Sequence, residues 1–345
     1  MTSPAPLLTD LARPLRSLQT HQWVKLICGA SYQDVTTIRS LATLYTLAGV
    51  DCIDVAADPA VVTVARQGIA AAQGSAPPWL MISINDSDDP HFRKASFDPG
   101  HCPPDCPRPC VSLCPTAAIQ FPADGAQGVI TELCYGCGRC LAVCPIGHIV
   151  AQPHQTLPET LPGEFWQQVD ALEIHTQTGR LAEFQRLWRR LQPYLSGLKL
   201  ISISCPDHDQ VIPYLEDLYR TISPLPQPLI WQTDGRPMSG DLGKGTTHAT
   251  LRLAQKILAA QLPGYVQLAG GTNGYTVTKI EELGLRPQAD PPGAPPRPGV
   301  AGIAYGSYAR HLAIAPGGDR AEAVISATGL EKARWLVSQL KYRNN

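Results

Sequence analysis

The sequence carries almost no net charge: 28 lysines and arginines stand against 29 aspartates and glutamates, a formal charge of -1. Phosphate-backbone recognition needs a basic excess, so nothing here points to nucleic acid. Long apolar runs are also missing. No stretch reaches the roughly 18 apolar residues that a membrane-spanning helix requires. The opening MTSPAPLLTDLARPLRSL has two arginines and one aspartate but no apolar centre, so it does not read as a signal peptide. These absences lead us to expect a cytoplasmic protein with no transmembrane segment.

What is present is cysteine, and it is clustered. Eight of the 11 cysteines lie between Cys102 and Cys144. The second half of that stretch reads Cys134-x2-Cys137-x2-Cys140-x3-Cys144-Pro145, the run of bacterial ferredoxins. Three thiolates on one tight turn grip three corners of an iron–sulfur cluster. The cysteine before proline serves the other cluster. Gly136 and Gly138 let the backbone bend closely around the sulfurs. The first half reads Cys102-x3-Cys106-x3-Cys110-x3-Cys114-Pro115, with its first two spacings one residue wider. Crossing the fourth ligands assigns one cluster to Cys102, Cys106, Cys110 and Cys144, and the other to Cys134, Cys137, Cys140 and Cys114. Two [4Fe–4S] clusters are expected, and the wider first run also suits a [3Fe–4S] form. Zinc usually takes two separated cysteine pairs, and disulfides belong to oxidising compartments. Neither fits two runs that each end in C-x3-C-P. His101, beside Cys102, reads more simply as a solvated loop histidine than as a ligand.

Around this stretch, short apolar runs alternate with helical patterns. Strands are expected at 23–29, 51–56, 79–84, 171–175, 198–204, 228–233, 265–269 and 300–305. Asp34 and Asp58-Pro59 have the chemistry of helix starts, and Gly49 of a stop. A helix over 180–195 would bury Leu181, Phe184, Leu187, Trp188 and Leu191. Further helices are expected at 207–222, 246–262, up to about 283, and at 320–342. Proline-rich PHQTLPETLP, SPLPQPL and PQADPPGAPPRPG read as connectors. Eight strand–helix units predict an α/β fold, a (β/α)8 barrel with an inserted ferredoxin-like two-cluster module. The alternative is an open doubly wound sheet. The expected organisation is 1–95 and 153–345 as two parts of the barrel domain, with the module at 96–152.

On the barrel reading, loops after strands seven and eight form a common phosphate site. Gly270, Gly271, Thr272 and Gly274, with Gly306 and Ser307, are the candidates for phosphate or flavin. Ordinary strand-to-helix turns are the plainer account of them. The loop after strand six looks like a nucleotide loop but breaks the P-loop rule, with Met238 and Gly245 at key positions. Asp234, Arg236 and Lys244 are its charged groups. Cys28, Cys52 and Cys205 fall on or just after apolar strands and read as small buried hydrophobes.

The chain resembles the cyanobacterial LdpA family, the light-dependent period proteins. The resemblance rests on the two cysteine runs together with VKLICGASYQD and WQTDGRPMSGD, and covers nearly the whole chain. It implies an iron–sulfur redox sensor that relays light-dependent cellular redox state to the circadian clock. It also implies the Kai clock proteins and the input histidine kinase as partners. From the residues alone, an oxidoreductase passing electrons to a flavin or substrate at the barrel mouth stays open as an alternative.

Overall fold

A computed structural model of the chain describes residues 12–29, 31–73, 76–122, 127–235, 243–287, 299–313 and 326–341. Eight strands form its centre: β1 (Trp23–Ile27), β2 (Cys52–Ala56), β3 (Trp79–Asn85), β4 (Ala171–His175), β5 (Leu200–Pro206), β6 (Leu229–Asp234), β7 (Tyr265–Ala269) and β8 (Val300–Tyr305). All neighbours are parallel. β1 pairs with both β2 and β8, from Trp23 opposite Gly302 to Leu26 opposite Tyr305 on the β8 side, so the sheet closes into a barrel. That closure rules out the open doubly wound sheet.

Local chemistry sets the boundaries. Asp34 caps helix Val35–Ala48 by accepting from the N–H groups of Thr36 and Thr37, and Gly49 ends it at φ 87°. Asp58 caps helix Pro59–Ala71, whose first residue is a proline with no N–H to lose. The helix expected over 180–195 spans Leu181–Leu191 and buries Phe184, Leu187, Trp188 and Leu191. Pro193 cannot supply the next helical donor, and the chain tightens into a 3-10 turn over Gln192–Gly197. Other expected elements shift by a few residues: helices fall at Val211–Ile222, His248–Ala259, Thr276–Glu282 and Ala327–Lys341. The expected start at Arg320 and the proline-rich stretch 288–298 lie outside the described residues. Helix Arg13–Gln19 was not anticipated. Its Leu18 joins Trp23, Trp79, Met81 and Leu200 in an apolar plug at the N-terminal end of the barrel.

Above the plug the barrel interior turns polar. Glu173 is fully buried and accepts from Lys25 Nζ at 2.5 Å, Gln232 Nε2 at 2.6 Å and Ser202 Oγ at 2.8 Å. Lys25 Nζ also lies 3.4 Å from Asp54, whose carboxylate accepts from Ser83 Oγ at 2.6 Å. Trp23 Nε1 donates to Gln267, and Gln267 to Gln232, which completes a chain of donors across the barrel. A carboxylate buried this deeply is tolerable because its lone pairs are occupied and its charge is matched.

The inserted segment leaves the barrel after β3 and returns before β4. An antiparallel ribbon of Arg93–Ser96 and Val150–Pro153 forms its base.

Candidate functional site

The inserted segment is a near-repeat of itself at a spacing of thirty residues. Short helices Pro109–Leu113 and Arg139–Val143 correspond, and each is entered through a left-handed residue, Arg108 at φ 50° and Gly138 at φ 74°. Ala117 and Gly147 repeat the left-handed turn after each Cys-Pro, at φ 51° and 63°. The N–H of Ala118 donates to Cys114 Sγ at 3.2 Å, and that of His148 to Cys144 Sγ at 3.3 Å. Cys110, Cys140, Ile119 and Ile149, two corresponding pairs, are the small buried core between the halves.

This repeat gathers the eight cysteines into two groups. Cys102, Cys106, Cys110 and Cys144 line one cavity; Cys114, Cys134, Cys137 and Cys140 line another. Each fourth cysteine thus sits with the opposite run. The donor set is all thiol, and backbone N–H groups already point at the sulfurs. Burial works against a thiolate at Cys144, but the N–H groups of His148, Ile149, Ile146 and Gly147 outweigh it and hold the thiol below its ordinary value. Such a set fits iron–sulfur ligation. His101 stands in solvent beside Asp98, 3.0 Å away, and lines neither cavity.

The second of these cavities is fastened to the barrel. The N–H of Tyr32, in the loop after β1, donates to Gly136 O at 2.8 Å. Ser31 Oγ exchanges hydrogen bonds with Arg93. Arg139 pairs with Asp34, the cap of the following helix. Tyr135 is buried in the main barrel core.

At the C-terminal end of the barrel lies a third cavity, of about 130 Å³. It is lined by the strand ends and by Gly270, Gly271, Thr272, Gly306 and Ser307, five of the six residues singled out for a phosphate site. Gly274 does not line it. A Cβ there would meet the Trp335 ring at 2.6 Å and Tyr308 Oη at 2.8 Å, so its bareness serves packing. Asp234 lines the cavity, whereas Arg236 and the Lys244 side chain lie outside the described residues.

Several groups here were missed from sequence. Asp89 accepts from His91 Nδ1 at 2.8 Å and lies 3.1 Å from His175 Nδ1; Glu173 holds the other His175 nitrogen at 3.2 Å. Burial opposes a charge on His175, but its two carboxylate neighbours outweigh that and hold its pKa well above the ordinary value. An imidazolium between two carboxylates is the consistent description. Glu173 likewise is driven up by burial, yet Lys25 and His175 bring it down to about 2. Arg310, on the helix Ser307–Ala313, also faces this cavity. A signal did exist: nearly every barrel strand carries a polar residue amid apolar ones, at Lys25, Asp54, Ser83, Glu173, Ser202, Gln232 and Gln267. Cys28, Cys52 and Cys205 are buried, and burial pushes the Cys28 and Cys205 thiols up to about 12, the behaviour of inert hydrophobes.

Two four-thiol cavities in a repeated insertion on an eight-stranded parallel barrel define an iron–sulfur protein built on a (β/α)8 scaffold. The chain belongs to the light dependent period A family. Residues 166–337 match the Light dependent period A C-terminal domain, and residues 102–155 the LdpA Fe-S cluster-binding domain. Light dependent period A of Synechococcus elongatus is 53% identical over 306 residues, covering 86% of this chain and 82% of that protein. A polysulfide reductase polypeptide of Wolinella succinogenes is 41% identical over 51 residues, 15% of this chain and 27% of that protein. Among solved structures, (S)-3-O-geranylgeranylglyceryl phosphate synthase from Thermoplasma acidophilum is similar at TM-score 0.42 and 13% identity, covering 98% and 99% of the two chains. A truncated 3-deoxy-D-arabino-heptulosonate 7-phosphate synthase from Thermotoga maritima is similar at 0.44 and 9% identity, covering 92% and 85%. These likenesses are too remote to bear on chemistry. Among the described residues no helix is long and apolar enough to cross a membrane.

Proposed function

We propose that this iron–sulfur protein is a cytoplasmic redox sensor that relays light-dependent redox state to the circadian clock, with the Kai proteins and the input histidine kinase as partners. The module, 96–152, would hold two clusters between two parts of a barrel domain, 1–95 and 153–345. Cys102, Cys106, Cys110 and Cys144 would hold one. Cys114, Cys134, Cys137 and Cys140 would hold the other. We assign both as [4Fe–4S], with a [3Fe–4S] form compatible with the wider first run. Bound there, the clusters supply one-electron exchange. The chain's own part is to hold the thiolates with N–H donors and to pass a change of charge to the barrel.

One observation carries this reading. The second cysteine cavity is tied to the loop after β1 by Tyr32, Ser31 and the Asp34–Arg139 pair. An added electron beside Arg139 weakens or strengthens a neighbouring ion pair, which is how a local charge biases a loop. The test is an anaerobic redox titration with limited proteolysis and partner binding measured in both states. Cleavage near 96–152 or affinity for the kinase must change with reduction. Identical cleavage and identical affinity across the titration would sink the sensor reading.

The oxidoreductase reading is favoured by the polar cavity at the barrel mouth, lined by Gly29 of that same loop. Flavin absorption bands in anaerobically purified protein, beside iron–sulfur charge transfer, would support it.

A further inference from the structure

The barrel-mouth cavity contains a cation without an anion. Arg310 donates through Nη1 to Ile27 O at 2.9 Å and through Nη2 to Ser307 Oγ at 3.0 Å, and pairs with no carboxylate among the described residues. The groups nearest it do not supply a charge. Burial keeps Cys28 neutral, with its thiol at about 12, and pushes the Tyr45 hydroxyl up as well. A half-buried guanidinium with only neutral acceptors has no counter-charge beside it, and its planar fork of donors matches an oxyanion.

Three backbone donors belong to residues that line the same cavity. The N–H groups of Gly270, Gly271 and Gly306 make no hydrogen bond to any described residue, and all three residues line the cavity with Arg310. Past β1, β2, β3, β4 and β6 the next residue donates to the neighbouring strand, as Cys28 does to Asp54 O and Gly235 to Ala269 O. Past β7 and β8 it lapses, and at β8 Arg310 Nη1 donates to the Ile27 carbonyl. The turn after β7 is also rigid. Thr246 Oγ1 donates to Gly271 O at 2.6 Å, and Thr272 Oγ1 to Ala304 O at 2.5 Å. Gly271 sits at φ 93° with Thr246 O only 2.3 Å from where its Cβ would be. The donors are therefore fixed before any ligand arrives, which lowers the cost of binding.

The same cavity holds an acidic group. The Asp234 carboxylate, on the strand beside β7, accepts no hydrogen bond from a described residue and lines the cavity with His175 and His91. A ligand that satisfied both the donors and this carboxylate would carry an oxyanion and a hydrogen-bond donor.

We propose that the barrel mouth binds a small phosphate monoester, its phosphate held by Arg310 and the N–H groups of Gly270, Gly271 and Gly306, its hydroxyl or ammonium end held by Asp234. Donors arriving from two turns and a guanidinium suit the three terminal oxygens of a phosphate better than the two of a carboxylate. This goes beyond the redox reading and does not depend on it.

The probes are inorganic phosphate and O-phosphoethanolamine, titrated calorimetrically into anaerobic, cluster-loaded protein at ionic strength matched with chloride. Both should bind saturably and raise the melting temperature. Gly306→Ala adds a methyl 3.7 Å from Arg310 Nη1 and 3.9 Å from Ile27 Cβ, ordinary contacts that leave the fold intact. It should weaken both probes by about tenfold or more, as should Arg310→Gln. Asp234→Asn should weaken O-phosphoethanolamine alone. No saturable binding beyond the chloride control overturns the proposal, as does Gly306→Ala binding inorganic phosphate like the parent. The visible spectrum, unchanged in each variant, separates these outcomes from any loss of the clusters.

Discussion

The backbone N–H of Tyr32 donates to the carbonyl of Gly136 at 2.8 Å, and this bond joins the barrel to the second cysteine hairpin. The segment fits so closely because Gly136 and Gly138 lack side chains. At Gly136, φ is 82° and a Cβ would lie 2.2 Å from Arg93 O; at Gly138 it would lie 2.7 Å from the Tyr32 ring. Gly147 is also left-handed, at φ 63°, but nothing lies within 4 Å of its Cβ position.

That contrast makes the first prediction. Gly136→Ala should undock the hairpin and cost the protein the cluster of Cys114, Cys134, Cys137 and Cys140, roughly halving iron per chain. Gly147→Ala incurs only left-handed backbone strain, about 1–2 kcal/mol, and should keep both clusters, as Ala117 already tolerates φ 51° at the corresponding turn. Iron analysis with anaerobic denaturation of the two variants is the check. Equal iron in both would show that the docking contact does not matter to cluster retention.

The barrel was legible because each strand is a short apolar run closed by a turn, and β4, β7 and β8 match their expected ranges residue for residue. The cysteine spacing sorts the thiols into the same two sets that line the two cavities. The mouth was not legible. Lys25 and Glu173 touch although 148 positions separate them, and Asp89 and His91 lie in a loop with no periodicity to read. Their pairing is a product of barrel closure, which places inward residues of different strands side by side. Gly274 was misplaced for a related reason: its glycine answers the Trp335 ring, which sequence could not put there.

The repeat yields a second prediction. Cys114→Ser should damage the cluster held by Cys134, Cys137 and Cys140, and Cys144→Ser the cluster held by Cys102, Cys106 and Cys110. The two crossed cavities motivate it. Electron paramagnetic resonance of each reduced variant reads which signal changes. If each serine removed the signal of its own run, the ligands would not cross.

The third prediction concerns the barrel centre. Lys25→Met removes the cation that Glu173 and Asp54 share while leaving those carboxylates buried. Removing one partner of a buried pair costs about 3–5 kcal/mol. Lys25→Met with Glu173→Gln removes the cation and one of its two carboxylates, leaving Asp54, and should recover part of that loss. Urea unfolding of the single and double variants measures it. A single variant within about 0.5 kcal/mol of the parent would mean the network carries no appreciable charge.

The last prediction is a pH dependence, and it rests on Asp86, the residue just past β3. Burial pushes its carboxyl up from 3.8 to about 6, although Thr176 and Ser87 donate hydrogen bonds that oppose the shift. A carboxyl raised in the folded state binds its proton more tightly there than in the unfolded chain. The stability it contributes is therefore full below 3.8 and is lost as the pH rises through about 6. At about 1.4 kcal/mol per unit, the loss is on the order of 3 kcal/mol. Asp86→Asn keeps a neutral amide in the same shape at every pH. The parent should lose stability relative to Asp86→Asn between about pH 4 and pH 7.5, by up to that amount, in urea unfolding of the two proteins side by side. The hydrogen bonds from Thr176 and Ser87 set the size of the effect but not its sign. A parent that instead gained on the variant as the pH rose would show that those two donors hold Asp86 charged and that burial does not govern it.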